Sequence, residues 1–287
     1  MITHEEFIKK HNLSIRRYYQ KNGWLYVNFY SLRDDEYYYN EIKFYDLPSK
    51  IEFTEECDFD IILDIEKIPP DIIFNHRGDV EILYAEEISE NVVFNNLGDV
   101  HLGYDFDRYI LPPLGRKLMK IYQIHPSVKF KNVGNVYLGD IINKIPKEIS
   151  FDNKFNVFCF FIKEISENVI FNNKGNLFFK DIEKIHPSVK FINGGNIDFS
   201  YKSSSVKKNL KELTFSNNGN VKISKNIEHI SNINFNNNGN VEFEGKPVIS
   251  QEVYFNNKGI VINKPINIPK FLDPEKYLNK MLKQIYK

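Results

Sequence analysis

One phrase recurs ten times along the chain and constrains its fold more than any other feature. The phrase reads approximately Ile-Pro-x-x-Val-x-Phe-Asn-Asn-x-Gly-Asn-Val-x-Leu-x-x-Ile, and its Phe recurs every 20 or 21 residues, apart from one interval of 36 and one of 24. Self-similarity at a fixed period of about 20 residues is the signature of a solenoid, in which each coil contacts only its neighbours. The ten positions are Phe53, Phe74, Phe94, Phe130, Phe151, Phe171, Phe191, Phe215, Phe235 and Phe255.

Each repeat contains two short segments of alternating pattern, which predict two strands per coil. In the segments 128–130 (Val-Lys-Phe) and 136–138 (Val-Tyr-Leu), alternation sends the outer two residues inward and the middle one outward. The Asn-Asn-x-Gly-Asn link between them predicts a tight turn, with glycine at positive φ and Asn amides hydrogen-bonded from coil to coil. We therefore predict a mainly β repeat solenoid of about ten coils.

Both ends of the chain depart from the repeat and predict caps. Residues 1–46 open with Thr3-x-x-Glu6, a capping-box pattern that predicts a helix over 3–21, and a strand is predicted over 24–32. The solenoid spans 47–270, and its 36-residue interval places an insertion near 104–122. Residues 271–287 predict a C-terminal capping helix that begins at Asp273 and Pro274. Caps are expected because solenoid ends expose sheet edges.

Composition favours a soluble protein without a disulfide framework. Apolar residues make up 42% of the chain, which is enough for a continuous core, and the two cysteines are Cys57 and Cys159. No segment approaches the roughly 20 uninterrupted apolar residues of a membrane span, and the N-terminus lacks the apolar core of a signal peptide. We expect a cytoplasmic protein. The bias to Ile, Lys, Asn, Phe and Tyr is typical of AT-rich bacterial, phage or large-virus genomes.

The repeat resembles a leucine-rich-repeat array of the short bacterial type, over residues 47 to about 270. Two elements differ: Phe replaces the expected aliphatic residue before the turn, and Asn-Asn-x-Gly-Asn replaces a single Asn. A two-faced β-solenoid is therefore the alternative. The resemblance implies a protein-binding array. The matching elements are the Val-x-Leu strand, the x-x-Ile spacer and the openings Leu47-Pro48, Ile68-Pro69 and Ile145-Pro146.

A net charge of zero hides a separation of charge along the chain. Residues 51–110 hold 16 Asp and Glu against 3 Lys and Arg, a balance of −13, whereas residues 111–287 hold 15 against 27, a balance of +12. The residue before the second Val is Asp58, Asp79 and Asp99 in the first three coils and Asn thereafter. Carboxylates stacked about 5 Å apart repel one another, so a cation or a Lys/Arg-rich partner would relieve them, unless solvent screens them.

The outward residue of the second strand predicts an aromatic stripe. Along the coils this residue runs Asp60, Glu81, His101, Tyr137, Phe158, Phe178, Asp198, Lys222 and Glu242. Three consecutive exposed aromatics mark an interaction site, unless a cap, a loop or a second copy covers them. The insertion adds further candidate contacts at Tyr104, Asp105, Asp107, Arg108 and Tyr109.

These patterns favour binding over catalysis. The sequence contains no phosphate-binding glycine loop, HExxH, GxSxG or CxxC motif, and Asp60 and Glu81 form the one adjacent acidic pair in the outward series. We predict a non-enzyme without cofactor or metal: a protein-binding solenoid whose acidic coils bind a basic partner surface. The predicted contacts are Asp58, Asp60, Asp79, Glu81, Asp99, Tyr104, Asp105, Asp107, Arg108, Tyr109, Tyr137, Phe158 and Phe178. One alternative is a phage- or virus-encoded inhibitor of a nucleic-acid-targeting defence nuclease, such as a CRISPR effector. Another is a nucleic-acid-binding module that uses the basic C-terminal two-thirds, with the aromatics as stacking platforms.

Overall fold

The computed structural model shows a β-solenoid in which strands of successive coils stack into parallel sheets. It describes residues 1–13, 17–28, 41–54, 60–102, 121, 123–139, 144–160, 162–180, 182, 184–200, 208–211, 213–231, 233–250 and 253–263. Strands lie on three faces, which we call A, B and C in chain order around each coil, so the prediction of two strands per coil missed the strands of face C. Between Phe53 and Phe255 the chain makes about nine turns, which confirms the predicted mainly β repeat solenoid.

Face A is a 12-stranded sheet that contains the Phe segment of each repeat. Its first two strands form an antiparallel hairpin, and each later strand pairs in parallel with Phe opposite Phe, from Phe53–Phe74 to Phe235–Phe255. The strands are Tyr18–Lys21, Trp24–Val27, Ile51–Phe53, Ile72–Phe74, Val93–Phe94, Lys129–Phe130, Ser150–Phe151, Ile170–Asn173, Lys190–Asn193, Thr214–Asn217, Asn234–Asn237 and Tyr254–Asn257.

Face B is an 11-stranded parallel sheet made of the Val-x-Leu segments. Its strands are Glu41–Phe44, Asp60–Asp64, Val80–Tyr84, Val100–Leu102, Val136–Leu138, Val157–Phe160, Leu177–Lys180, Ile197–Ser200, Val221–Ile223, Val241–Phe243 and Val261–Ile262.

Face C consists of three short parallel sheets of three strands each. Its strands are Lys67–Ile68, Glu87–Ile88 and Gln123–Ile124, then Lys144–Ile145, Glu164–Ile165 and Lys184–Ile185, then Lys208–Lys211, Ile227–Ser231 and Val248–Ile249.

The core is a continuous stack of the repeated Phe rings. From Phe53 to Phe255 the centroids of successive rings lie 4.8 to 5.5 Å apart. The alternation predicted from sequence is confirmed, since Val128 and Phe130 are buried and Lys129 between them is exposed. One coil could not bury its apolar side alone, so the stack makes the stability of each coil depend on its neighbours.

The turn glycine is required by the approach of the next coil rather than by a positive φ. A Cβ on Gly134 would lie 2.2 Å from the carbonyl oxygen of Gly98, and one on Gly219 would lie 2.3 Å from that of Gly195. Gly23, with φ 77°, is the positive-φ glycine among the described residues. The described glycines of the repeat have no positive φ, so the predicted positive φ there is wrong. Glycine is needed at this position because stacking at one strand spacing leaves no room for a Cβ.

Left-handed backbone occurs instead at the corner between faces C and A. The left-handed residue of this corner follows the Pro of the repeat, or the Ser that replaces it at 89 and 166, and its φ lies between 57° and 66° in five coils. Asn and Asp tolerate this region better than most residues because their side chains bond the local backbone. The residues are Lys50, Asp71, Asn91, Glu148 and Asn168.

The N-terminal cap is a short helix followed by a hairpin. The helix His4–Lys10 has the predicted capping box, in which Thr3 accepts from the N–H of Glu6 and Glu6 accepts from that of Thr3. The prediction of a helix over 3–21 was too long, because the chain leaves the helix at Asn12 (φ 48°) and residues 18–21 form a strand. The overlooked signal was Asn22-Gly23, a hairpin turn sequence.

Two predicted features of the ends fall partly or wholly outside the described residues. The strand predicted over 24–32 is present as Trp24–Val27, and residues 29–32 are not described. The C-terminal helix predicted over 271–287 lies outside the described residues.

A core substitution tests the dependence of each coil on the Phe stack. Phe171 is buried between Phe151 and Phe191, so Phe171→Ala should lower the free energy of unfolding by about 3–5 kcal/mol. Phe155 is 55% exposed, so Phe155→Ala is the matched control and should change it by about 0.5 kcal/mol. Urea unfolding of both variants measures the difference, and equal effects would contradict the stacked core.

Candidate functional site

The Asp or Asn at the end of each turn forms a ladder with the backbone of the next coil. The Oδ1 of Asp79 accepts from the N–H of Asp99 at 2.7 Å, and that of Asp99 accepts from the N–H of Asn135 at 2.6 Å. The same bond continues through the later coils to Ile260, at 2.8 to 3.1 Å. Asp and Asn are interchangeable in this role because each provides a side-chain oxygen acceptor.

The ladder corrects one predicted alignment. Asp60, not Asp58, accepts from the N–H of Asp79, at 2.9 Å. Phe53 pairs with Phe74 on face A, 21 residues on, whereas Ile61 pairs with Val80 on face B, 19 residues on. Constant spacing from Phe therefore misplaced this position in the first coil, and Asp58 itself lies outside the described residues.

The stacked carboxylates accept hydrogen bonds that hold the coils together, and they also contribute to the negative charge of these coils. Burial raises the pKa of Asp79, and the carboxylates of Asp60 and Asp99 raise it further, against the lowering effect of the N–H of Asp99. The donated N–H groups thus offset part of the repulsion that the sequence predicted. Among the described residues, no group of three or more His, Cys, Asp and Glu side chains is arranged to hold a metal ion.

His76 is a buried, neutral histidine beside these carboxylates. It occupies the turn position that Asn96 occupies in the next coil, and it is 1% exposed. Its Nε2 lies 3.4 Å from the carbonyl oxygen of Asp79, so this nitrogen carries the proton. Burial lowers the pKa of His76 to about 4.

The outward series of face B is in the predicted phase but differs in its first member. Tyr137 pairs with Phe158 and Phe158 with Phe178, and each lies between buried inward residues. The residue that pairs with Glu81 is Ile62, so the predicted outward pair of Asp60 and Glu81 is wrong. The cause is the same shift in register that places Asp60 in the turn ladder.

Face B is open over only part of its length. Ile62, Glu81 and His101 point outward, yet each is 6–7% exposed. The outward residues from the coil of Tyr137 onward are half-buried, and Ile262 at the end is 43% exposed. The half-buried residues, which we call the open ladder, are Tyr137, Phe158, Phe178, Asp198, Lys222 and Glu242.

The aromatic rings of face B stack on one another. Successive centroids from His101 to Tyr137, Phe158 and Phe178 lie 4.5, 4.6 and 4.8 Å apart, and the ring planes are within 7° of parallel. The faces of the inner rings are therefore occupied by their neighbours. The surface receives the ring edges, which carry the positive end of the aromatic quadrupole.

Sequence reasoning missed two residues that extend this surface. Phe160 packs edge-on against Phe158, with ring centroids 5.7 Å apart. The Nζ of Lys180 lies over the ring of Phe160, 5.4 Å from its centroid. Both residues come two positions after an outward residue on strands that run longer than Val-x-Leu. The signal was present in the alternation of Val-Phe-Cys-Phe and Leu-Phe-Phe-Lys over 157–160 and 177–180.

Within residues 60–102, the exposed acidic residues lie at the corners of the coils rather than in the turn ladder. Glu66 and Glu86 sit on adjacent coils between faces B and C, joined by a bond from the N–H of Glu86 to the carbonyl oxygen of Glu66, and both are exposed. Glu90 is exposed near the next corner. The predicted contacts Tyr104, Asp105, Asp107, Arg108 and Tyr109 lie outside the described residues.

Ser127, Ser188 and Cys159 have structural roles. The hydroxyl of Ser127 lies 2.9 Å from the Nδ1 of His125 and accepts the N–H of Asn91, and the same contacts recur in the second copy of Ile-His-Pro-Ser-Val-Lys-Phe, at Ser188 and His186. This pairing fixes a corner of the coil. Cys159 is fully buried, and burial raises the pKa of its thiol far above the normal range.

Comparisons with protein-family models, with curated proteins and with solved structures give no match to this chain. No helix in the part of the chain that the structure describes is long and apolar enough to cross a membrane.

Two substitutions at one position separate the acceptor role of the turn carboxylates from their charge. Asp99→Asn keeps the acceptor for the N–H of Asn135 and should leave the free energy of unfolding nearly unchanged. Asp99→Ala removes the acceptor and should cost about 1–2 kcal/mol in urea unfolding. Equal destabilisation by Asn and Ala would mean that the charge, rather than the acceptor, matters.

His76 predicts a loss of stability in acid. The folded pKa lies below the ordinary 6.5, so the unfolded chain binds more protons, and stability falls as pH drops from 6.5 towards about 4. The full loss is about 3 kcal/mol. His76→Asn, which copies the next coil, should flatten the dependence of Tm on pH over this interval. Asp79 acts in the opposite direction, so the test is the difference between the two proteins, and identical slopes would contradict it.

Proposed function

We propose that this protein is a non-catalytic, protein-binding solenoid whose partner contacts the open ladder of face B. The half-buried stack of Tyr137, Phe158 and Phe178 on a parallel sheet carries the proposal. Aromatic side chains held rigidly on a sheet lose little entropy on binding and are enriched among the residues that dominate binding energy. Asp198, Lys222 and Glu242 continue the ladder as a charged margin, which is the usual surrounding of such an apolar centre.

The acidic corners favour a partner with a basic surface. Glu66, Glu86 and Glu90 are exposed, whereas Lys67 is paired with Glu87 at 2.8 Å. Exposed charges of one sign steer association and determine its salt dependence more than they determine affinity. We assign this steering role to the corner glutamates, because the turn carboxylates already bind backbone N–H groups.

The resemblance to short bacterial leucine-rich repeats supports the same function, since such arrays are mostly protein-binding.

Two other functions are alternatives. An inhibitor that mimics the charge of nucleic acid is a hypothesis that rests on the same acidic residues. The nucleic-acid module is less favoured, because a base stacks on the face of a ring and the inner rings of this ladder offer their edges. Several basic residues of the later coils are also paired, as in Lys144–Glu164 and Lys222–Glu244.

One pair of variants in the same coil tests the aromatic centre. The partner is first captured from the native host with the wild-type chain and identified by mass spectrometry, and binding is then measured with purified components. Phe158→Ala should weaken binding about 30-fold, which corresponds to about 2 kcal/mol. Phe155→Ala removes an exposed ring outside face B and should leave the dissociation constant unchanged.

Charge reversal in the same assay tests the acidic corners. Glu66→Lys combined with Glu86→Lys should slow association and flatten its salt dependence.

Full binding by a stable Phe158→Ala variant would remove the aromatic ladder from the interface. A large fall in its Tm would mean that Phe158 belongs to the core.

A further inference from the structure

A second ladder lies inside the turns and is formed by the buried Asn that precedes the glycine. In the later coils this ladder closes directly from amide to amide. The Nδ2 of Asn193 donates to the Oδ1 of Asn217 at 2.9 Å, Asn217 donates to Asn237 at 2.8 Å, and Asn237 donates to Asn257 at 2.7 Å. Each of these amides also donates to the glycine carbonyl of its own turn at 2.7 Å. In these coils the Oδ1 of every ladder Asn therefore accepts a hydrogen bond from the preceding coil.

The earlier coils have a different arrangement. The Nδ2 of Asn96 donates to the carbonyl oxygens of Gly98 at 2.9 Å and Asp99 at 3.2 Å. The Nδ2 of Asn153 donates to the carbonyl oxygens of Gly134 and Asn156 at 3.1 and 3.3 Å. Because carbonyl oxygens hold the amide nitrogens, the orientation of each amide is fixed and its Oδ1 points away from them.

The Oδ1 atoms of these earlier coils are buried and accept no hydrogen bond from any described group. They belong to Asn96, Asn132, Asn153 and Asn173, which are 0–1% exposed. His76 extends the series by one coil, because its Nε2 faces the carbonyl of Asp79 and its buried Nδ1 is a further acceptor without a donor. The pairings of the repeated Phe residues place all five positions in register on successive coils.

Five adjacent buried acceptors require donors. Each one left unpaired costs about 1–3 kcal/mol, and buried polar atoms without a partner are rare in folded proteins. Successive coils lie about 4.8 Å apart, so a water that forms bonds of about 2.8 Å reaches the acceptors of two coils at once. A bare cation fits less well, because the five acceptors are neutral and an unpaired buried charge is costly.

We propose that the turn interior between His76 and Asn173 binds a single file of ordered water molecules. Each water donates one hydrogen to each of two acceptors on successive coils and thereby replaces the direct amide–amide bond of the later coils. The file ends at Asn173, whose Nδ2 donates to the Oδ1 of Asn193 at 3.3 Å and begins the dry ladder. The solenoid therefore has a hydrated and a dry half within one repeat pattern.

A crystal structure of the full chain, at a resolution that places buried waters, tests the file directly. We expect a water bridging the Oδ1 atoms of Asn96 and Asn132, and another bridging those of Asn132 and Asn153. The turns of Asn217 and Asn237 are the internal control and should contain none. Direct amide–amide bonds through Asn96, Asn132 and Asn153, or a metal ion in place of the waters, would overturn the proposal.

A stability comparison tests the same difference without a crystal. Asn132→Ala removes one long bond within the protein, from its Nδ2 to the carbonyl of Gly98 at 3.5 Å, and the acceptor of two waters, which can rearrange into the space that the side chain leaves. Asn217→Ala breaks two direct amide bonds and a bond to Gly219. The loss of Tm should therefore be at least about twice as large for Asn217→Ala. Equal losses would mean that the two ladders are alike and would overturn the hydrated file.

Discussion

The whole structure depends on the hydrogen bonding of one coil to the next in parallel register, with local shifts at Leu63–Asp64 and Lys208–Asn209. This bonding fixes the coil spacing at about 4.8 Å, and every side chain at a repeated position then meets its own counterpart. Three features follow from that one constraint: the Phe stack, the turn glycine that has no room for a Cβ, and the Asn ladders. Because no coil buries its apolar side alone, stability and regularity arise together from the stacking.

The same constraint decides which carboxylates have a structural role and which are exposed to a partner. The turn position needs an oxygen that accepts the next N–H, and Asp meets that need as well as Asn. The carboxylates of Asp79 and Asp99 are thus held in place by the fold, and burial, together with the neighbouring carboxylates of Asp60 and Asp99, raises the pKa of Asp79. Charge that is free to act on a partner belongs to the corner residues such as Glu86, whose positions the ladder does not determine. The parallel sheet also stacks the outward aromatics, so the surface consists of ring edges.

Much of the candidate site could be predicted, and the errors have a common cause. Alternation placed Tyr137, Phe158 and Phe178 on the outward side because the period of a strand is fixed at two residues. The prediction failed for Asp58 and Asp60 because it assumed one register for the whole coil. Faces A and B advance by different numbers of residues between the first two repeats, and only the pairing of Ile61 with Val80 reveals it. The partial closure of face B, with Glu81 and His101 buried, likewise has no signal in the repeat.

The sequence by itself determined the mainly β solenoid, the repeated Phe residues of its core and the strand phase from Tyr137 onward, because a coil that cannot bury its apolar side alone has to stack on its neighbours. Only the tertiary structure decided which polar side chains remain available, since that depends on what the neighbouring coil donates or accepts. Asn132 and Asn217 occupy the same place in the repeat, yet Asn217 bonds the next amide directly whereas the Oδ1 of Asn132 meets no described donor. The physical reason is that a hydrogen bond between coils depends on the positions of groups in both coils. The repeat pattern in the sequence specifies the residues of each coil separately.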